Sequence, residues 1–208
     1  AGGHGGLQIN SSGDSSWGKG NFLVRTRQQF ADKGFVVAVV DAPSDRQSEP
    51  YLSGYRQTAE HVSDIRAVIA WLRSQANVPV WLVGTSRGTQ SAAYVATDLS
   101  DSTGGPDGLV LTSTILSENK GRSVLDMPLQ KLKIPVLVVH HEQDGCKKCP
   151  FSAVPDLMKK LDGTKRKELL TFRGGSNVGD PCEARAYHGF NGLEQDVVNK
   201  IAAWIVVK

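Results

Sequence analysis

The sequence predicts an α/β fold, a mostly parallel sheet with helices on both faces. Three observations carry the prediction. The runs FVVAVV at 35–40 and IPVLVVH at 134–140 are continuously apolar and rich in β-branched residues, the pattern of strands buried on both faces. Between such runs lie segments with apolar residues at helical spacing, most clearly 58–75. The two kinds alternate, which places crossover helices on the faces of one sheet. The chain has 208 residues, with no repeat and no low-complexity linker, so one domain over 1–208 is expected.

The elements follow in order. Residues 1–16 are rich in Gly and Ser and read as loop. Segment 19–33 is amphipathic, with Phe22, Leu23, Phe30 and Ala31 as its apolar face and Gly34 suited to cap it. The run 35–40 is a buried strand closed by Asp41-Ala42-Pro43, and 44–54 is polar loop. Helix 58–75 is capped by Thr58 and presents Ala59, Val62, Ile65, Ile69 and Leu72. Strand 79–83, helix 87–98, turn 100–106 and strand 108–111 come next, then an irregular or loosely helical stretch at 118–127. Strand 134–140 precedes a helix over 152–161, with Pro155 in its first turn. Strand 167–172, loop 174–181 and a closing helix over 193–206, with Val197, Ile201, Trp204 and Ile205 inward, complete the chain. The link between strands 108–111 and 134–140 is too short for a lid domain.

Composition excludes several classes. The net charge is only +3, with basic and acidic residues interspersed, which argues against a nucleic-acid groove or a polybasic membrane anchor. No apolar run approaches the roughly twenty residues of a membrane span.

The chemistry centres on VPVWLVGTSRGTQS at 78–91. A strand, a sharp turn with Ser86 at its apex and a helix form the nucleophile elbow, G-x-S-x-G. Gly84 and Gly88 lack the Cβ that would clash around a strained serine. The helix N-terminus behind Ser86 favours an anionic intermediate. Asp144 lies just past strand 134–140, in a D-G turn, where catalytic groups of open α/β sheets gather. Glu142 is the alternative acid. His188 follows the last strand and precedes the last helix; His140 and His141 close a strand as structural or orienting residues, and His61 sits on a helix.

The order Ser86, Asp144, His188 resembles that of the α/β-hydrolase fold family, in particular compact lidless esterases of the dienelactone-hydrolase-like size class. The resemblance spans the chain from Gly2 to the last helix. It implies that His188 takes the Ser86 proton as the hydroxyl attacks a carbonyl, with Asp144 holding the imidazole. It implies one oxyanion donor at the Arg87 N–H and a second in the glycine-rich loop Gly2-Gly3-His4-Gly5-Gly6, from the backbone of His4 or Gly5. Relative to the family, the strand leading into this loop and those before it are missing. The expectation is a longer natural protein, or a separate chain completing the sheet, and an open sheet edge without it.

Three cysteines are too few for a disulfide scaffold. If Asp144 meets His188, Cys146 and Cys182 lie on neighbouring loops, so a Cys146–Cys182 bridge is the expected pairing, with Cys149–Cys182 the alternative. The thioredoxin reading of C-x-x-C fails on context, and a zinc site with Cys182 and a histidine is the remaining reading. The bridge would argue for a periplasmic or secreted protein, its absence for a cytoplasmic one. The Arg87 side chain either meets an acidic substrate group or packs locally. Tyr51, Tyr55 and Arg56 either shape the pocket mouth or are exposed loop residues. The function expected is cleavage of small-molecule esters or thioesters through an acyl-enzyme, without metal or organic cofactor. The alternatives are a peptidase or amidase, a cofactor-free haloperoxidase, or a non-catalytic binding protein on the same fold.

Overall fold

The computed structural model describes residues 1–118 and 121–207. Its four-stranded sheet is parallel throughout, in the order β1 (Trp81–Thr85), β2 (Gly108–Thr112), β3 (Val136–His141), β4 (Lys167–Phe172). β2 and β3 are buried along their whole length, as their apolar runs at 109–111 and 136–139 require. Alternate residues divide between the faces. Leu109, Leu111, Val136 and Val138 pack with Ala92, Ala93 and Ala96 of α4 (Arg87–Asp98) and Leu157 of α5 (Val154–Lys160). Val110, Leu137 and Val139 face Val197, Ile201 and Trp204 of α6 (Glu194–Val206), together with Phe22. Helices therefore cover both faces. α3 (Ala59–Gln75) packs outside α4 through Val62, and Thr58 accepts the His61 N–H at its start.

Two expected elements differ. The single helix expected over 19–33 is broken into α1 (Phe22–Arg25) and α2 (Arg27–Ala31) at Thr26. The Thr26 hydroxyl donates to the Phe22 carbonyl at 2.7 Å, the local back-bonding that bends helices. The larger correction is at 35–40. Its β-branched residues favour extended backbone, but it joins no sheet among the described residues. Val36 is 71% exposed, and Val37 and Val40 are exposed too. An apolar run specifies local conformation; a strand also needs a neighbour to bond, and the described residues supply none. β1, only half-buried, is correspondingly an edge strand.

Of the loose helix expected over 118–127, residues 119 and 120 lie outside the described residues. The rest forms a 3₁₀ turn, Val124–Asp126, closed by a capping box between Ser123 and Asp126. A second such turn, Leu129–Lys131, follows, and the described part of this connection holds no lid.

Candidate active site

Ser86 adopts φ 52° and ψ −128°, a region that non-glycine residues rarely occupy and that surrounding structure must enforce. A Cβ at Gly84 would lie 2.6 Å from the Gly88 carbonyl oxygen, and one at Gly88 would lie 2.8 Å from that of Ala1. Both glycines are therefore sterically required. Hydrogen bonds complete the constraint. The Ser86 N–H donates to Thr112 O at 3.1 Å, and Thr112 Oγ1 donates to Gly84 O at 3.1 Å. Thr89 Oγ1 donates to Ser86 O at 2.6 Å and accepts the Ile115 N–H at 3.1 Å. These buried threonines of α4 and β2 were not picked out from the sequence. Their only signal is a hydroxyl three residues after the serine and another ending an apolar strand.

Asp144 and His188 meet. Asp144 Oδ2 lies 2.9 Å from His188 Nδ1, with both side chains buried, and Asp144 Oδ1 accepts the Cys146 N–H at 2.9 Å. Glu142, the alternative acid, bonds instead to Thr171 and pairs with Arg173. The His188 loop is held from beneath, where Ser113 Oγ donates to His188 O at 2.6 Å. A disulfide between Cys146 and Cys182 ties the two loops together. His188 Nε2 is buried and makes no hydrogen bond among the described residues, so the Ser86 hydroxyl is not bonded to it here. Such bonds are often long before substrate binds.

The glycine-rich loop lies beside the elbow. A Cβ at Gly2 would sit 3.1 Å from Ser86 Cβ. The His4 ring is stacked between Trp17 and Tyr51, with centroids at 3.8 and 4.2 Å, and its Nδ1 accepts the Gly6 N–H. Gly5, at φ +87°, turns towards Leu52 and Arg56, where a Cβ would be 2.5 Å from Leu52 Cδ1. The N–H groups of His4 and Gly5 have no acceptor among the described residues. Arg87 opens α4, so its N–H has no carbonyl one turn back within the helix. The Arg87 side chain is engaged locally, 3.0 Å from Glu118 Oε2.

No family model matches the chain, and no curated protein sequence does. Solved structures do match its backbone. An esterase of Pyrococcus furiosus superposes with a TM-score of 0.62 at 12% identity, covering 88% of this chain and 76% of that one. A monoacylglycerol lipase of Paleococcus ferrophilus gives 0.58 at 16% identity over 88% of each chain. A cold-adapted esterase from an Arctic intertidal metagenomic library gives 0.60 at 16%, covering 88% and 78%. The fold is that of the α/β-hydrolases.

Within this α/β-hydrolase fold the remaining residues have defined places. His140 is fully buried and its Nε2 accepts the Thr114 N–H at 2.8 Å. Burial lowers its pKa to about 4, against the partial support of Asp144. His141 bonds Gly174 O and stacks on Tyr187. His61 is buried edge-on to Tyr55, and burial lowers its pKa to about 4 as well. Cys149 is a buried free thiol that donates to Ser113 O, and burial raises its pKa. With Cys146 committed to the bridge, its sulfur offers no thiolate to the metal site considered from the sequence. Tyr55 and Arg56 are buried, not exposed loop residues. Arg56 bonds Ser91 Oγ at 2.9 Å and the carbonyls of Ala1 and Gly3 at 3.3 and 3.1 Å. Asp41 accepts the N–H groups of Leu7 (2.5 Å), Ile9 (2.9 Å) and Ala42 (2.7 Å). Burial pushes its pKa up, but these backbone bonds together outweigh burial and hold it below the ordinary value.

Proposed function

We propose that residues 1–208 form one α/β-hydrolase domain that is a serine hydrolase, cleaving small-molecule esters or thioesters through an acyl-enzyme. The observation that carries the reading is the buried Asp144–His188 contact of 2.9 Å, on the two loops that follow β3 and β4. A neutral imidazole bonded through Nδ1 to a carboxylate keeps Nε2 as the proton acceptor. In the proposed reaction His188 Nε2 accepts the Ser86 proton as Ser86 Oγ attacks the ester carbonyl. The tetrahedral oxyanion is held by the Arg87 N–H and by an N–H of the glycine-rich loop, at His4 or Gly5. The protonated His188 returns its proton to the leaving alcohol or thiol. Water, activated by the same histidine, then releases the acid. Side chains, backbone N–H groups and water suffice for these steps. The esterase and lipase names of the structural neighbours support the substrate class.

A chain-length series of nitrophenyl esters, run beside fluorophosphonate labelling, tests the reading. The wild type is expected to hydrolyse short esters and to take label at Ser86. Ser86→Ala should lose the label and at least ~10⁴-fold in kcat, with its melting temperature unchanged. A folded wild type that takes no label and turns over no ester would establish a binding protein on this fold instead.

A further inference from the structure

Arg56 is 6% exposed, and among the described residues no carboxylate forms an ion pair with it. A buried guanidinium without a counter-ion is costly and calls for a purpose. Its hydrogen-bond partners are the hydroxyl of Ser91, on the helix that starts at the elbow, and the carbonyls of Ala1 and Gly3, which flank Gly2. In a trans peptide the carbonyl of one residue and the N–H of the next point in opposite directions. Carbonyls of Ala1 and Gly3 drawn towards Arg56 therefore turn the N–H groups of Gly2 and His4 away from it. The His4 N–H finds no acceptor among the described residues, and Gly2 lies against Ser86. The contact is close, since a Cβ at Gly5 would come within 2.6 Å of Arg56 Nη2.

We propose that Arg56 is the positioning residue of the oxyanion hole. It clamps the glycine-rich loop to α4 and aims the loop's free N–H groups at the anion formed on the Ser86 side. The inference rests on the hydrolase reading above. Arg56 touches no reacting atom; it acts through the peptides it orients. Its charge adds a favourable field for the oxyanion. Burial, and then the Arg87 charge, lower its pKa to about 10, so it remains protonated at neutral pH.

The test is steady-state kinetics on a nitrophenyl ester, at a temperature where each variant is folded by near-ultraviolet circular dichroism. Arg56→Met should lose roughly 100-fold in kcat while KM moves less than about threefold, the pattern of a contact made only in the transition state. Arg56→Lys keeps the charge but cannot reach all three acceptors, so it should fall nearly as far. Ser91→Ala should lose a few-fold, and methylguanidinium should restore part of the activity of Arg56→Ala. A purely structural role predicts a lower melting temperature with wild-type kcat in the Met and Lys variants, and that result overturns the inference. If Arg56→Met does not fold, unchanged kcat in both Arg56→Lys and Ser91→Ala overturns it equally. The failures are distinguishable. A wild type that neither labels with fluorophosphonate nor hydrolyses esters removes the hydrolase reading and this inference together. A wild type that labels, beside an Arg56→Lys with full kcat, removes the inference alone.

Discussion

The two halves of the candidate site are held by different means. Ser86, Asp144 and His188 stand on the turns that follow β1, β3 and β4, which are hydrogen-bonded residue by residue into one parallel sheet. The glycine-rich loop belongs to residues 1–57, whose regular structure is two short helices and one 3₁₀ turn. Side chains fix it: Asp41 takes the N–H groups of Leu7 and Ile9, Arg56 takes two carbonyls, and Trp17 and Tyr51 enclose His4. A backbone ladder distributes its strength over many bonds. A loop held by three or four side chains is vulnerable to single substitutions.

The largest effect is expected on the sheet side, at the bridge between the Asp144 and His188 loops. Cys146 and Cys182 are 36 residues apart, and opening a loop of that size costs about 4 kcal/mol in the chain-entropy account. Thermal melts of the Cys182→Ser variant should show a clear drop in melting temperature, insensitive to added reductant, while reductant should lower that of the wild type. Equal melting temperatures for variant and oxidised wild type would mean that the bridge adds nothing to what the sheet already fixes.

Acid is the next probe of that side. His140 titrates near 6.5 when unfolded and near 4 when folded, because burial disfavours its charge. Between those values the unfolded chain binds the extra proton, so stability is full above about pH 6.5 and falls as pH drops towards 4. The loss from His140 is on the order of 3 kcal/mol, and His61, lowered for the same reason, adds to it. Urea midpoints measured from pH 7 to pH 4 should fall, and His140→Gln should flatten the slope. A slope unaltered by that substitution would assign the acid sensitivity elsewhere.

On the loop side, Asp41→Asn is expected to cost about 2 kcal/mol, since a charged acceptor of three backbone N–H groups becomes a weaker neutral one. Its folded pKa is depressed, so its contribution is present above the ordinary carboxylate pKa and is lost as pH falls through the folded value. Amide exchange at Leu7 and Ile9 should accelerate in the variant while exchange in β2 and β3 does not. Acceleration throughout the sheet would show that the two regions unfold as one.

The smallest effect separates the two runs that look alike in sequence. Val36→Ala, at an exposed and unpaired position, should shift stability by less than about 0.5 kcal/mol. Val138→Ala, fully buried in β3, should cost about 2 kcal/mol or more. Similar denaturation midpoints for the two variants would place 35–40 inside the cooperative core after all.

Most of the architecture was legible because its signals are local. The G-x-S-x-G turn and the Thr58 cap each state their own backbone conformation, whereas the turn expected at Asp144-Gly145 falls on Glu142-Gln143, closed by the Asp144 N–H donating to His141 O. The predicted bounds of α4 and β4 coincide with those observed. Residues 35–40 depart from the expected strand because β-branched side chains report extended backbone and not the presence of a neighbouring strand. The break in the 19–33 helix is not legible in the sequence because the bond from Thr26 to Phe22 has no distinctive pattern. The bonding roles of Arg56, Asp41, Thr89 and Thr112 are not legible in the sequence because each acts on backbone groups distant in the chain or across a turn. A hydrogen bond to a backbone group leaves no mark on the residue that owns that group.

The sequence alone determined the alternation of strands and helices, the steric need for glycine around Ser86 and the chain order of Ser86, Asp144 and His188. All of these depend on neighbours within a few residues or on simple order along the chain. Tertiary structure decided which carboxylate reaches His188, which cysteine closes the bridge and what holds the glycine-rich loop against the elbow. Those choices depend on distances of a few ångströms between residues far apart in sequence, and only the packed sheet brings such residues into hydrogen-bonding range.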